Sequence, residues 1–338
     1  MKHKTILITH PIHQNTLTEL NLINQVECAL ISETVFYGED KNKQTAIFYI
    51  PDIAKKQIFD ESQDQTLTTL KNSLMAIKPD VLIVGNNAVN GEAIASWRQA
   101  VGDAKPLLII RRGVDTRAID KNSATKYGVK IDNLPGINSP YVAKHILNYL
   151  NLQKADNNDS VGIIGVGNIG KEIALKAIEY NLKVYLFSPS LQNPDTRMIT
   201  LKQRNIPAEK VTCVNSLMEI WEQANFITIS IPLYDKKGKS HENLMTVEHL
   251  NQLDLPARIC SVSVPIIFTE SALHLMNKLA EIGKLYVRID TPKRYVEMLK
   301  KRYNAIDSAH DQAFADDKCQ MELDQAMLNK ARLFLTHL

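Results

Sequence analysis

A chain of 338 residues with 44% hydrophobic and 23% charged side chains has the make-up of a folded protein, and at roughly 100–200 residues per domain two domains are expected. Forty Lys and Arg against 37 Asp and Glu leave a net charge of only +3, which argues against the strongly basic face of a nucleic-acid binder. Cys28, Cys213, Cys260 and Cys319 stand far apart with no CxxC pair, so reduced structural thiols are expected rather than zinc ligands or a redox couple. The opening MKHKTILITHPIH holds too short an apolar run for a signal peptide or a membrane span. The expectation is a cytoplasmic protein with neither membrane nor nucleic acid as partner.

Short apolar runs alternating with longer amphipathic stretches predict βα units and a parallel sheet in the first 140 residues, an α/β class. Strands are expected at Thr5–Thr9, Glu27–Ile31, Ala46–Ile50, Val81–Val84, Leu107–Ile110 and Val129–Ile131, with helices at Leu67–Ile77 and Gly91–Val101. Pro140 near its start marks a helix at Ser139–Leu150. The polar run Gln153–Ser160 is the best linker candidate. From Val161 a second series follows, IIGVG, KVYLF, FITISIP, ARICSVSV and KLYVRID, with helices between. Gln312–Leu338 is helical by periodicity.

Gly165, Gly167 and Gly170 form G-V-G-N-I-G between an apolar run and an amphipathic helical stretch. In that context the first glycine permits a tight turn, the second lets backbone N–H groups near a pyrophosphate, and the third lets helix and strand pack closely. The N–H groups of the helix start, at Asn168 and Ile169, would face the anion. Where a carboxylate would hold a ribose 2′-OH the chain carries F-S-P-S, with Ser188 at the strand end. Arg197 or Lys202 could approach a 2′-phosphate there, so NAD and NADP both remain open.

Ligands of open parallel sheets bind beyond the carboxyl ends of the strands. Those positions in the first half carry His10 and His13, Asn86 and Asn87, Arg111 and Arg112, and Asn133. The adjacent arginines can clamp a carboxylate or phosphate; the competing reading is structural ion pairing, for instance with Asp115. No third ligand is spaced to join His10 and His13 on a metal, and none is expected. Lys293, Arg294 and Lys300–Arg302 read as a solvated helix face.

The sequence is similar to the D-isomer-specific 2-hydroxyacid dehydrogenases. The likeness rests on Gly113-Val114-Asp115 with Ile119-Asp120, YGVKIDNLPGINS (127–139), VAKHIL (142–147), the glycine turn, ISIPL (229–233), TESAL (269–273), RID (288–290) and SAH (308–310). It implies two Rossmann-like parallel-sheet domains with a cleft between them: a flavodoxin-like substrate domain from 1–140 plus 306–338, and a dinucleotide domain from 141–305. It further implies cofactor contacts at Ser188, Pro232, Val262 and Asp290, and His310 as the acid/base for the hydroxyl proton. Three departures accompany it. Val264 stands where the family keeps its substrate arginine, so Arg111, Arg112 or Arg288 would have to supply that cation. The acidic partner of the histidine is missing after Asp290, leaving Glu297, Asp307 or Asp311. The segment forming much of the family's dimer contact is nearly absent, which weakens the expectation of a homodimer. The resemblance implies an NAD(P)-dependent oxidoreductase acting on a small anionic 2-hydroxy or 2-keto acid, or a related carbonyl or imine. The alternative is a divergent or inactive homologue that keeps NAD(P) as a structural or sensing ligand; nothing in the sequence selects a lyase or isomerase.

Overall fold

A computed structural model describes residues 4–22, 24–31, 34–39, 44–51, 53, 63–235, 237–310 and 312–337. The chain divides into two compact units, one built from residues up to Ile137 together with Asp317–Leu338, the other from Asn138–Asp316. The return to the first unit lies later than residue 306. Asp307–Ala309 is the reason: it pairs in parallel with Leu285–Asp290 and so stays in the second sheet. The polar run 153–160 lies inside the second unit and is no linker. Its Asp159 takes hydrogen bonds from Asn225 Nδ2 at 2.7 Å and from the Asp156 N–H at 2.8 Å, closing the turn before the next strand.

The first sheet comprises β1 (Lys4–Ile8), β2 (Asn24–Val26), β3 (Val35–Glu39), β4 (Thr45–Tyr49), β5 (Val81–Val84), β6 (Leu107–Arg111) and β7 (Val129–Asn133), in the order β2-β3-β4-β1-β5-β6-β7. β3 runs antiparallel to both neighbours, and the remaining pairs are parallel. Ile6–Ile8, Val81–Val84 and Leu107–Ile110 are buried throughout, as strands covered on both faces must be. Glu27–Ile31 is not a strand. Its Ile31 N–H turns back to the Cys28 carbonyl at 2.9 Å, and the edge hairpin is made by β2 and β3 instead. Pairing across the sheet overrides the β propensity of that apolar run.

The second sheet comprises β8 (Ser160–Ile164), β9 (Lys183–Phe187), β10 (Thr212–Cys213), β11 (Phe226–Ile229), β12 (Ala257–Ser261), β13 (Leu285–Asp290) and β14 (Asp307–Ala309), all parallel, in the order β10-β9-β8-β11-β12-β13-β14. The order reverses between β8 and β11, which makes a crevice outside their carboxyl ends. Two apolar clusters flank the sheet, one around Trp221, Ile259 and Phe268, the other around Ile146, Ile163 and Ile173. The helices Gly91–Val101 and Ser139–Leu150 form as expected, and the last helix runs Asp317–Thr336. Among the described residues no helix is long and apolar enough to cross a membrane.

Leu82 lies in β5, fully buried, in the same cluster as Trp97. In a Trp221→Phe background, where emission reports Trp97 alone, Leu82→Ala is expected to lower the urea unfolding free energy of the first unit by about 2–5 kcal/mol. Leu82→Met should cost under about 1.5 kcal/mol. Equal losses from the two changes would contradict the tight packing of β5.

Candidate functional site

At the reversal point of the second sheet, β8 runs into the glycine turn. Gly165 takes φ +93°, and a Cβ there would press on the Ser230 carbonyl. A Cβ on Gly170 would strike the Gly165 carbonyl, so both positions need glycine for close approach. Gly167 is different: no atom lies within 4 Å of where its Cβ would stand. It begins the helix Asn168–Glu179 with no side chain capping the first turn. The N–H groups of Asn168 and Ile169 therefore open onto exposed space at a helix N-terminus, an arrangement that fits the pyrophosphate of a dinucleotide.

Parallel pairing places the other expected residues along the same sheet edge. Going from β9 to β14 the strand ends carry Ser188, Gly165, Ser230 with Pro232, Val262, Asp290, and finally His310. The Pro232 carbonyl accepts from His241 Nδ1 at 2.6 Å, and the Val262 N–H donates to Ile229 O at 3.0 Å. Asp290 is buried. It accepts the N–H of Gln312 at 3.1 Å on Oδ1 and that of Ala313 at 2.5 Å on Oδ2. Its carboxylate thus fixes the turn that follows His310, which is itself exposed. Of the acids considered for His310, Asp307 pairs with Arg288 at 2.7 Å, and Glu297 is exposed, 4.0 Å from Lys293. Asp311 lies outside the described residues. Arg288 also donates to Gln312 Oε1 at 2.5 Å and stacks over Tyr149, so it is engaged within its own unit. Val264, half-buried, packs against the apolar cluster around Trp221.

In the first unit the order reverses between β1 and β5; His10, Asn86 and Arg112 follow the ends of β1, β5 and β6, and Arg111 is the last residue of β6. Arg112 is committed. Its guanidinium lies 3.2 Å from Asp324 Oδ1, donates to Gln320 Oε1 at 2.7 Å, and approaches His10 Nε2 at 3.4 Å. Asp324 is fully buried and accepts the His13 N–H at 2.7 Å and Thr16 Oγ1 at 3.0 Å. Burial pushes its carboxyl up, and Arg112 pulls it back. The structural reading of Arg112 therefore has its ion pair, with Asp324 in place of Asp115; Asp115 is held by Arg117 at 2.6 Å. Arg111, also buried, donates to Asn86 Oδ1 and to the Arg112 carbonyl, both neutral. Among the described residues no carboxylate lies within ion-pair distance of it, and its Nε has no partner. Asn87 is turned inward to the Ile53 carbonyl, and Asn133 Nδ2 donates to Val114 O at 2.8 Å. His10 Nδ1 meets the Pro11 carbonyl, so the proton sits on Nδ1 and Nε2 presents its lone pair to Arg112.

Three contributors lie outside the reading of the sequence. Ser263 Oγ bridges the loops after β11 and β12, donating to Ile231 O at 2.8 Å and accepting the Ile231 N–H at 2.9 Å. Its alternation with Ser261 in an apolar run is a usable signal. Asp324 stands on the buried face of its helix beside Leu323, Met327 and Leu328, where a lone acid calls for a partner. Arg204, which donates to Ser190 Oγ at 3.1 Å, has no local signal at all.

Residues 147–278 match the family model described as D-isomer specific 2-hydroxyacid dehydrogenase, NAD binding domain. Over 189 residues the chain is 26% identical to the hydroxypyruvate reductase of Thermotoga maritima, covering 48% of this chain and 55% of that protein. Over 147 residues it is 30% identical to the erythronate-4-phosphate dehydrogenase of Bacteroides thetaiotaomicron, covering 42% and 38%. The matches thus span about half or less of the length of these curated relatives. Cofactor (NAD+)-bound 3-phosphoglycerate dehydrogenase of Entamoeba histolytica superposes with a TM-score of 0.64 at 16% identity, over 99% of this chain and 97% of that one, which shows a shared fold.

If Arg112 and Asp324 are one buried unit, each single alanine variant should destabilise the first unit by about 3–5 kcal/mol, because each strands the other charge. The double variant should cost at least about 1 kcal/mol less than the two together, by urea unfolding read through Trp97. Additive losses would separate the pair. His10 adds a pH dependence. Burial first, then the Arg112 charge, drives it from 6.5 to about 3. The unfolded chain takes up a proton near its ordinary pKa that the fold refuses, so this stabilisation is full above that value and is lost as the pH falls towards about 3. His10→Asn should flatten the decline in unfolding free energy between about pH 7 and about pH 5. Unchanged slopes would assign the pH dependence elsewhere.

Proposed function

Starting from residues 147–278 as a D-isomer specific 2-hydroxyacid dehydrogenase NAD-binding domain, we propose that the chain is a nicotinamide-dependent oxidoreductase interconverting a small anionic 2-hydroxy acid with its 2-keto acid, or a related imine with its amine. The observation that carries this reading is the glycine turn: a positive-φ Gly165, an open Gly167 and an uncapped helix start at the reversal point of the sheet. Gly165, Gly167, Asn168, Ile169 and Gly170 would hold the pyrophosphate, with Ser188 on the adenosine side and Pro232, Val262 and the β13 end on the nicotinamide side. When bound, the dinucleotide supplies the hydride acceptor or donor.

The chain's own residues do the rest. His310 gives or takes the hydroxyl proton. Its exposure and its place at the end of β14 support that role, and Asp290 acts as a positioning residue by fixing the turn after it. Arg111 holds the substrate carboxylate. It is a buried cation whose hydrogen-bond partners are neutral, so an arriving anion would find an uncompensated charge. Arg112 fastens the last helix through Asp324 and is not assigned to the substrate.

A second reading, a homologue that binds nucleotide without turnover, is favoured by one observation: Val264, where the resemblance expects an arginine, is half-buried against an apolar cluster. One set of measurements separates the two. Purified protein should oxidise reduced cofactor with a member of a 2-keto acid panel, and Arg111→Ala should lower kcat/KM by about 10²–10³. His310→Gln should lower kcat by about 10²–10⁴ with bound-nucleotide affinity unchanged. Full turnover in His310→Gln overturns its role, and tight nucleotide binding with no turnover across the panel selects the second reading.

A further inference from the structure

The strand end at β9 is where a dinucleotide fold chooses between its two cofactors. A carboxylate there accepts the ribose 2′-OH of NAD and repels a 2′-phosphate. Here Ser188 occupies that end, buried, and no acid follows it until the exposed Asp195, in the first turn of the helix Pro194–Gln203. Ser188 Oγ lies 3.0 Å from Ser190 Oγ, and Ser190 Oγ accepts from Arg204 Nη2 at 3.1 Å. The three side chains form one hydrogen-bonded line that begins at the strand end and finishes on a cation.

That cation is uncompensated. Among the described residues no carboxylate pairs with Arg204, and its buried Nη1 has no hydrogen-bond partner. The neighbouring cations are directed elsewhere. Arg197 Nε is turned to the Leu191 carbonyl at 2.8 Å, and Lys202 is exposed on the helix. The one hydroxyl hydrogen that the Ser188–Ser190 bond leaves over, a guanidinium joined to the same pair and the absence of a carboxylate suit a phosphate monoester dianion. A bare 2′-OH would meet neither a carboxylate acceptor nor any need for the charge.

We propose that Ser188, Ser190 and Arg204 form the receptor for a ribose 2′-phosphate, so that the chain takes NADP(H) in preference to NAD(H). This rests on the reading that the second unit binds a dinucleotide, and Arg204 is its specificity-determining residue. Arg204 arrives from beyond the end of the helix rather than from the loop itself, so the loop sequence S-P-S does not announce it.

Calorimetric titration with adenosine 2′,5′-bisphosphate and with adenosine 5′-monophosphate tests it without any turnover. The unaltered protein should bind the bisphosphate at least about 10-fold more tightly, the yield of one charge-assisted contact. Arg204→Ala should reduce that gap to within about 3-fold while leaving the monophosphate affinity unchanged, and Arg204→Lys should restore part of it. Ser188→Asp should reverse the preference, with unchanged thermal melting showing that the fold is intact. Equal affinities for the two nucleotides in the unaltered protein would overturn the proposal and leave the dinucleotide reading standing. Failure to bind either nucleotide, NAD(H) or NADP(H) would overturn both.

Discussion

One methyl group at position 170 would collide with the carbonyl of Gly165, and the placing of the nucleotide site follows from that contact. The helix Asn168–Glu179 seats directly on the exit of β8 because neither glycine carries a side chain, and its first N–H groups are thereby aimed past Gly167. The turn is closed from the opposite side by Ser230. That residue receives no side chain from Gly165, reaches the Gly165 carbonyl with its hydroxyl at 3.1 Å, and pairs its own N–H with Ile164 O at 2.9 Å. Ser263 then ties Ile231 to the end of β12. The crevice is a set of backbone approaches held by small residues, so its shape depends on what is absent at 165, 167 and 170 as much as on what is present.

The first unit solves a different problem. Its strand ends carry two adjacent arginines, and burying a guanidinium costs several kcal/mol unless charge and hydrogen bonds offset it. For Arg112 the offset comes from Asp324 and Gln320, the latter 208 residues away in sequence, which fixes the last helix against the sheet on which the chain began. His10 completes the arrangement by staying neutral. With its Nδ1 proton on the Pro11 carbonyl it offers Arg112 a lone pair, whereas a protonated ring would add a second buried cation. Gly85 permits this, since a Cβ there would overlap the ring.

What can be read from the sequence divides along the range of the interaction. The glycine turn, the helices Gly91–Val101 and Ser139–Leu150 and most of the strands follow from spacing within a dozen residues, and all are present. The edge hairpin is not legible because Glu27–Ile31 has the composition of a strand while Val35–Glu39 has the partner. The late return crossing is hidden because a three-residue strand, Asp307–Ala309, carries no periodicity of its own. Arg112 is legible as a buried strand-end cation; that its anion is Asp324 is a matter of tertiary contact. Arg204 and Ser190 meet fourteen positions apart across a turn and a helix, a distance at which no local pattern operates.

Among the described residues, four arginines bury a side-chain nitrogen with no hydrogen-bond partner: Arg111, Arg112, Arg204 and Arg288. Their charges are not handled alike. Arg112 and Arg288 face carboxylates, Asp324 and Asp307, and each serves to hold its own unit together. Arg111 and Arg204 face only hydroxyl, amide and carbonyl oxygens, and the one acid that influences Arg111, Asp115, is already bound by Arg117. Both stand beside a strand end, one in each sheet, where open parallel sheets take their ligands. Burial lowers both guanidinium pKa values, in Arg111 against the opposing pull of Asp115, and an arriving anion would offset that cost. Neutral partners alone do not mark such a residue: Arg98, also buried, spends its guanidinium on the carbonyls of Tyr127, Gly102, Lys105 and Gly128. What sets Arg111 and Arg204 apart is a buried nitrogen with no partner on a guanidinium that faces no carboxylate, and this supports the ligand roles proposed for them. The proposed ligands, a carboxylate at Arg111 and a phosphate at Arg204, rest on the groups around each: an amide oxygen and a carbonyl in the first case, two serine hydroxyls in the second.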